Sequence, residues 1–205
     1  MRRLLLASLL AASALGYDRG PEETKAIEAL TKAGAAVIID DGDPDKPALR
    51  MTFGGDRATD AELGALPALT RLRRLDLSGS KITDAGMVNL KGLFKLQKLY
   101  LHDAAITDAG LASLKELDRL EVLDLSKTKV TDAGLPRLAD LQKLRLLDLS
   151  ETGVTAEGFE SLKKLADLQE LHVRGLKPAD DKQAAAFEDK VLDLQKALPQ
   201  LKVVR

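Results

Sequence analysis

Asp124, Asp148 and His172 follow one another at 24-residue intervals, and this row is the arrangement in the chain that most invites a chemical reading. An aspartate beside a histidine can orient an imidazole for general-base work, and such a row can also hold a cation. The other histidine, His102, lies three coils earlier in the repeat described below. That is roughly 14 Å away at a strand spacing of ~4.8 Å, so the two rings cannot share a metal ion. There is no cysteine, which excludes disulfides, zinc-thiolate sites and thiol nucleophiles. No serine sits in a nucleophile-elbow context, no glycine-rich phosphate loop occurs, and there is no His-Glu-x-x-His. The expectation is therefore no catalytic residue, no metal and no cofactor, with a hydrolase acting through the Asp-Asp-His row as the alternative.

Composition narrows the function classes further. The 31 basic and 32 acidic residues leave a net charge of -1, whereas nucleic-acid binding calls for a basic surplus. Aromatic residues make up 3% and tryptophan is absent, which suits a core of leucines in equivalent slots. The amino terminus has the three parts of a secretory signal: Met1-Arg2-Arg3, an apolar run from Leu4 to Ala12, and the small-x-small site Ala12-Ser13-Ala14. That run is short of the ~20 residues a membrane helix needs. Residues 1–14 are thus expected to be a signal peptide, and the mature chain to be exported to the periplasm, the cell envelope or the secreted space, with no membrane span.

The row of acids and histidine belongs to a larger periodicity. Leu72, Leu96, Leu120, Leu144 and Leu168 are 24 residues apart, as are Leu75, Leu99, Leu123, Leu147 and Leu171. Leu77, Leu101, Leu125, Leu149 and Val173 keep the same interval. Three identical tetrads, Thr83-Asp84-Ala85-Gly86, Thr107-Asp108-Ala109-Gly110 and Thr131-Asp132-Ala133-Gly134, lie in register with a worn copy, Thr155-Ala156-Glu157-Gly158. Leu75-Asp76-Leu77 alternates as a strand with one buried face. Thr83 is placed to cap a helix whose positive end Asp84 would face. Met87, Leu90 and Leu93 form roughly one helical stripe. The glycine of each tetrad reads as tight backbone packing. No unit can bury its own apolar edge, so the units must stack.

This pattern, L-x-x-L-x-L followed by a turn and a branched apolar residue, resembles the leucine-rich-repeat family. The T-D-A-G-L extension resembles the 24-residue class of exported bacterial proteins, akin to the cysteine-containing class. The resemblance covers about residues 24–205. It implies an α/β fold: a right-handed horseshoe solenoid with a parallel sheet on the concave face and helices on the convex face. The family's usual Asn or Cys slot instead holds Asp56, Ser80, Ala104, Thr128 and Thr152. The turns must then be tied by hydroxyls or water, and Ala104 marks the coil least tied.

The expected organisation is a signal peptide at 1–14, an amino-terminal cap at 21–47, repeats over 48–191 starting at 48, 72, 96, 120, 144 and 168, and a carboxy-terminal cap at 192–205. The last repeat is irregular, with roughly eight extra residues between Leu176 and Ala186. Residues flanking the buried strand leucines must face the concave surface. There Tyr100, Val122 and Leu146 give an apolar patch, framed by Arg74, Lys98, His102, Asp124, Asp148, His172 and Arg174. Outward apolar groups with a mixed-charge rim suit a contact surface. The reading is a non-catalytic, monomeric protein-interaction module of the envelope or secreted space. The alternatives are the hydrolase and a purely structural envelope protein.

Overall fold

The computed structural model of the 205-residue chain describes residues 20–40, 48–53, 58–176 and 181–205. The signal-peptide reading of 1–14, the slot residue Asp56 and most of the 40–47 connector lie outside these. Eight strands form one sheet in chain order. They are β1 (Ala35–Asp40), β2 (Ala48–Phe53), β3 (Leu72–Asp76), β4 (Lys98–Tyr100), β5 (Val122–Asp124), β6 (Leu146–Asp148), β7 (Glu170–His172) and β8 (Lys202–Val204). From β2 onward every pairing is parallel, and equivalent residues of successive repeats face one another: Leu75 with Leu99, Leu99 with Leu123, Leu123 with Leu147, Leu147 with Leu171. In the amino-terminal cap, for which the sequence pattern sets no strand direction, β1 runs antiparallel to β2. A short connector suffices for that return, whereas a parallel strand needs a long crossover.

The sheet is backed by a layer of leucines. Leu72, Leu75, Leu77, Leu96, Leu99, Leu101, Leu120, Leu123 and Leu125 are all fully buried, as are Ile82, Ile106 and Val130. Each such side chain contributes about 2 kcal/mol through burial. Opposite the sheet, the expected convex helices are reduced to single turns. Asp84–Met87 is one α-turn continued by the 3-10 turn Val88–Leu90, and the equivalent segments Gly110–Leu114 and Leu135–Leu138 are 3-10 throughout. A 24-residue coil that spends its length on a strand and two reversals leaves room for little more. Met87, Leu90 and Leu93 nevertheless all reach the core.

Longer helices occur only at the ends, among the described residues. α1 (Pro21–Lys32) buries Ala26, Ile27 and Leu30. α2 (Asp181–Ala197) absorbs the extra residues that break the period, and buries Val191 and Leu194 against the last coil. It runs through position 191, where the repeat pattern had suggested the array gives way to its cap. Phe187 meets Phe159 edge to face with ring centroids 5.5 Å apart, and Lys163 bonds both Asp193 and Glu160 at 2.6 Å.

Candidate functional site

The sheet face is displayed by a turn that repeats every 24 residues. Gly79, Asp103, Lys127, Glu151 and Gly175 all have positive φ, between 55° and 75°. This left-handed residue aims its amide at the following coil: Gly79 N donates to His102 O at 2.7 Å, Asp103 N to Ser126 O at 3.0 Å, and Lys127 N to Ser150 O at 2.9 Å. The strand-end aspartates help form the same turn. Asp76, Asp124 and Asp148 each accept from the amide two residues on, at 3.2, 2.9 and 2.8 Å, the side-chain turn for which Asp is suited. Two members of the Asp-Asp-His row are thus already engaged in shaping the backbone.

The slot hydroxyls behave less uniformly than expected. Thr128 and Thr152 donate to Leu125 O and Leu149 O at 2.6 Å. Ser80 Oγ is buried without a protein partner, so no hydroxyl tie of this kind is made in that turn. At Ala104 the turn closes through backbone alone, with Ala104 N donating to Leu101 O at 3.1 Å.

The ten residues singled out from sequence share the sheet face. Arg74 donates to the Tyr100 hydroxyl at 2.8 Å, and its guanidinium carbon lies 4.1 Å from the ring centroid. Its other nitrogen is 3.6 Å from Asp76. Tyr100, Val122 and Leu146 are half-buried, on three successive strands. Lys98 lies opposite Val122, Val122 opposite Leu146, and Tyr100 opposite Asp124. His172 stands between two carboxylates, Nδ1 3.4 Å from Asp148 and Nε2 3.4 Å from Glu170. Arg174 is exposed, and its amide donates to Ser150 Oγ at 3.1 Å.

His102 takes part in an arrangement the sequence had not suggested. Its Nδ1 is 2.8 Å from Ser126 Oγ, and that hydroxyl donates to Asp124 Oδ1 at 2.5 Å. The serine sits between acid and imidazole, the reverse of a hydrolytic triad, where histidine is central. With its one proton directed to Asp124, Ser126 can only accept from the ring. The group is a polar strut, and Ser126 is 6% exposed. Among the described residues, no group of three or more His, Cys, Asp or Glu side chains could hold a metal ion. No helix among them is long and apolar enough to cross a membrane.

Behind the face, the tetrads form a second ladder that sequence reasoning missed. Asp84 lies in the first turn of its segment, and its carboxylate reaches the next coil, accepting from Thr107 N at 2.9 Å and Thr107 Oγ1 at 2.6 Å. Asp60 holds Thr83, Asp108 holds Thr131 and Asp132 holds Thr155 in the same way. Each threonine hydroxyl also accepts from the amide two residues on, as its capping position implied. The tetrad glycines are explained by this clasp: a Cβ on Gly86, Gly110, Gly134 or Gly158 would strike the carboxylate of the preceding coil. The recurrence of Asp beside Thr at a fixed interval was the available signal.

A family model described as leucine rich repeat matches residues 68–91 and 120–139, within an array whose strands pair at the repeat interval throughout. The chain has the fold of a leucine-rich-repeat solenoid. It is similar in fold to an internalin C2 from Listeria monocytogenes, with 22% identity, 77% of this chain and 69% of that one covered, and a TM-score of 0.50. A second internalin of that organism matches at 19% identity and a TM-score of 0.51, covering 89% of this chain. The alignment takes in 54% of that second protein's length. No curated protein matches the sequence.

Proposed function

We propose that this leucine-rich-repeat chain is a non-catalytic protein-interaction module, exported to the cell envelope or beyond, that binds a protein partner through its sheet face. The observation that carries this reading is the Tyr100–Val122–Leu146 patch. Its three members come from consecutive strands held in register, so they form one continuous surface. Arg74 fixes the tyrosine ring by a hydrogen bond and a cation–π contact, which lowers the entropy to be lost when a partner packs on it. Tyrosine so held suits a central anchor, and truncating such anchors typically costs ~2 kcal/mol or more. The internalin-like fold supports an interaction role, and the signal-like 1–14 segment supports export.

The test is capture with the immobilised mature domain, followed by variants. Tyr100→Ala with Leu146→Ser should abolish binding while circular dichroism stays unchanged, since neither side chain enters the core. Lys91→Ala with Lys115→Ala, on the opposite side, should leave affinity nearly unaltered. A partner lost with the second pair and kept with the first would move the working surface to the convex side.

A further inference from the structure

The sheet face is bordered on one side by cations without counterparts. Lys95, Arg119 and Lys143 occupy the position just before Leu96, Leu120 and Leu144, the first leucine of the repeat on three consecutive coils. All three are exposed, and none has an ion-pair or hydrogen-bond partner among the described residues. Lys98, exposed on β4, adds a fourth charge further in, beyond the column Gln97, Glu121, Arg145. The acids of the same turns, Glu116, Asp118 and Asp140, precede these cations on the side toward the convex turns. The opposite border, at the strand carboxy ends, is where Asp76, Asp124 and Asp148 are tied into turns. The cationic row thus crosses the coils in the same direction as the Tyr100, Val122 and Leu146 patch, with Gln97, Glu121 and Arg145 between the two.

We infer that this border and patch together receive an amphipathic helix of a partner protein, one carrying an acidic stripe next to an apolar stripe. The inference rests on the sheet-face reading above and adds the chemistry of the partner. Spacing is the first argument. Coils repeat at the strand interval of ~4.8 Å, and side chains three or four apart on a helix lie ~5–6 Å apart. Acids at i, i+3 or i+4, and i+7 therefore meet Lys95, Arg119 and Lys143 in turn. The second argument is the interruption of the charge. Moving inward, the column Arg74, Lys98 continues as Val122 and Leu146, so a uniformly charged polyanion would lie on apolar side chains there. A helix with two different stripes satisfies both rows.

The test uses a labelled helical peptide with glutamates at i, i+4, i+7 and i+11 and leucines on the adjoining stripe, with a scrambled isomer of equal charge. Binding to the full chain is read by fluorescence anisotropy at two salt concentrations. The patterned peptide should bind at least tenfold tighter than the scrambled one. The triple change Lys95→Gln, Arg119→Gln, Lys143→Gln should weaken it at least tenfold and flatten the salt dependence. Lys91→Gln with Lys115→Gln should change it less than twofold. Equal binding of the scrambled peptide, or an unaffected triple variant, overturns the inference. If the triple variant binds normally while Tyr100→Ala with Leu146→Ser does not, the sheet-face reading stands and the helix inference falls. If only the triple variant loses binding, the cationic border stands and the apolar anchor falls.

Discussion

Lys127 and Leu125 are two residues apart and stand in opposite relations to the fold. Leu125 is fully buried between neighbouring coils, so Leu125→Ala should cost about 2–5 kcal/mol in urea melts. Lys127→Ala should stay within about 0.5 kcal/mol, its 4.0 Å ion pair with Glu151 being exposed. Lys127 also has φ of 57°, at the position that Gly79 and Gly175 fill in other coils. A left-handed conformation costs a side-chain-bearing residue roughly 1–2 kcal/mol. Lys127→Gly should consequently raise stability, by about 1 kcal/mol, and an unchanged urea midpoint would contradict that. The leucine slots were legible in the sequence because one interval fixed them all. The left-handed position was not, because Asp103, Lys127 and Glu151 share no chemistry that announces it; only Gly79 and Gly175 hint at the requirement. Phe94 and Val88, 54% and 51% exposed, carry no mark of that exposure in the sequence, since an apolar residue beside a repeating core reads the same whether or not it enters.

At the scale of the coil, the Asp–Thr clasp makes neighbouring units cooperate. Gly110→Ala would drive a methyl into the Asp84 carboxylate, which cannot swing away without releasing Thr107 N and Oγ1. Hydrogen bonds to a charged group contribute about 1.5–3 kcal/mol, so the substitution should cost about 2 kcal/mol. In an Asp84→Ala background most of that cost should vanish, and a double-mutant cycle showing additivity would refute the clasp as its cause. The carboxy-terminal helix gives a pH prediction. The hydrogen bond from Lys163 lowers Asp193 below its ordinary 3.8, and bonds to Asp193 and Glu160 raise Lys163 above 10.5. The hydrogen bond that Lys190 donates to Glu157 raises Lys190 likewise. A lowered acid contributes stability above its unfolded value and loses it as pH falls through the folded one; a raised base contributes below its unfolded value and loses it as pH rises through the folded one. Protection factors of the α2 amides, with the intrinsic pH dependence of exchange divided out, should therefore be highest between those limits and should fall below about pH 3.8 and above about pH 10.5. Protection independent of pH would mean that apolar packing alone holds the helix. The strand order and register followed from periodicity, whereas α2's start did not, because the inserted residues keep no interval to count.

The whole molecule is a stack in which stability passes from neighbour to neighbour. Its core is hydrocarbon and its polar ties are local, so a chelator should leave the melting temperature unchanged; a marked drop would reveal an ion the fold depends on. Candidate face residues were legible because outward positions alternate with buried leucines. Their mutual contacts were not, since Arg74 bonding Tyr100 and Ser126 joining Asp124 to His102 depend on rotamers rather than on spacing. One consequence of the clasp concerns growth. Thr155 receives the carboxylate of Asp132, but the next position is Ala156, which has nothing to pass on. At the other end Asp60 begins the series. Every join between is the same, so a duplicated segment such as 96–119, spliced in phase, would find its donor and acceptor waiting on both sides. The gene for such a chain can lengthen or shorten by whole coils without repairing a seam, and its reach can be altered by recombination alone, while the terminator at position 156 travels unchanged to the new end.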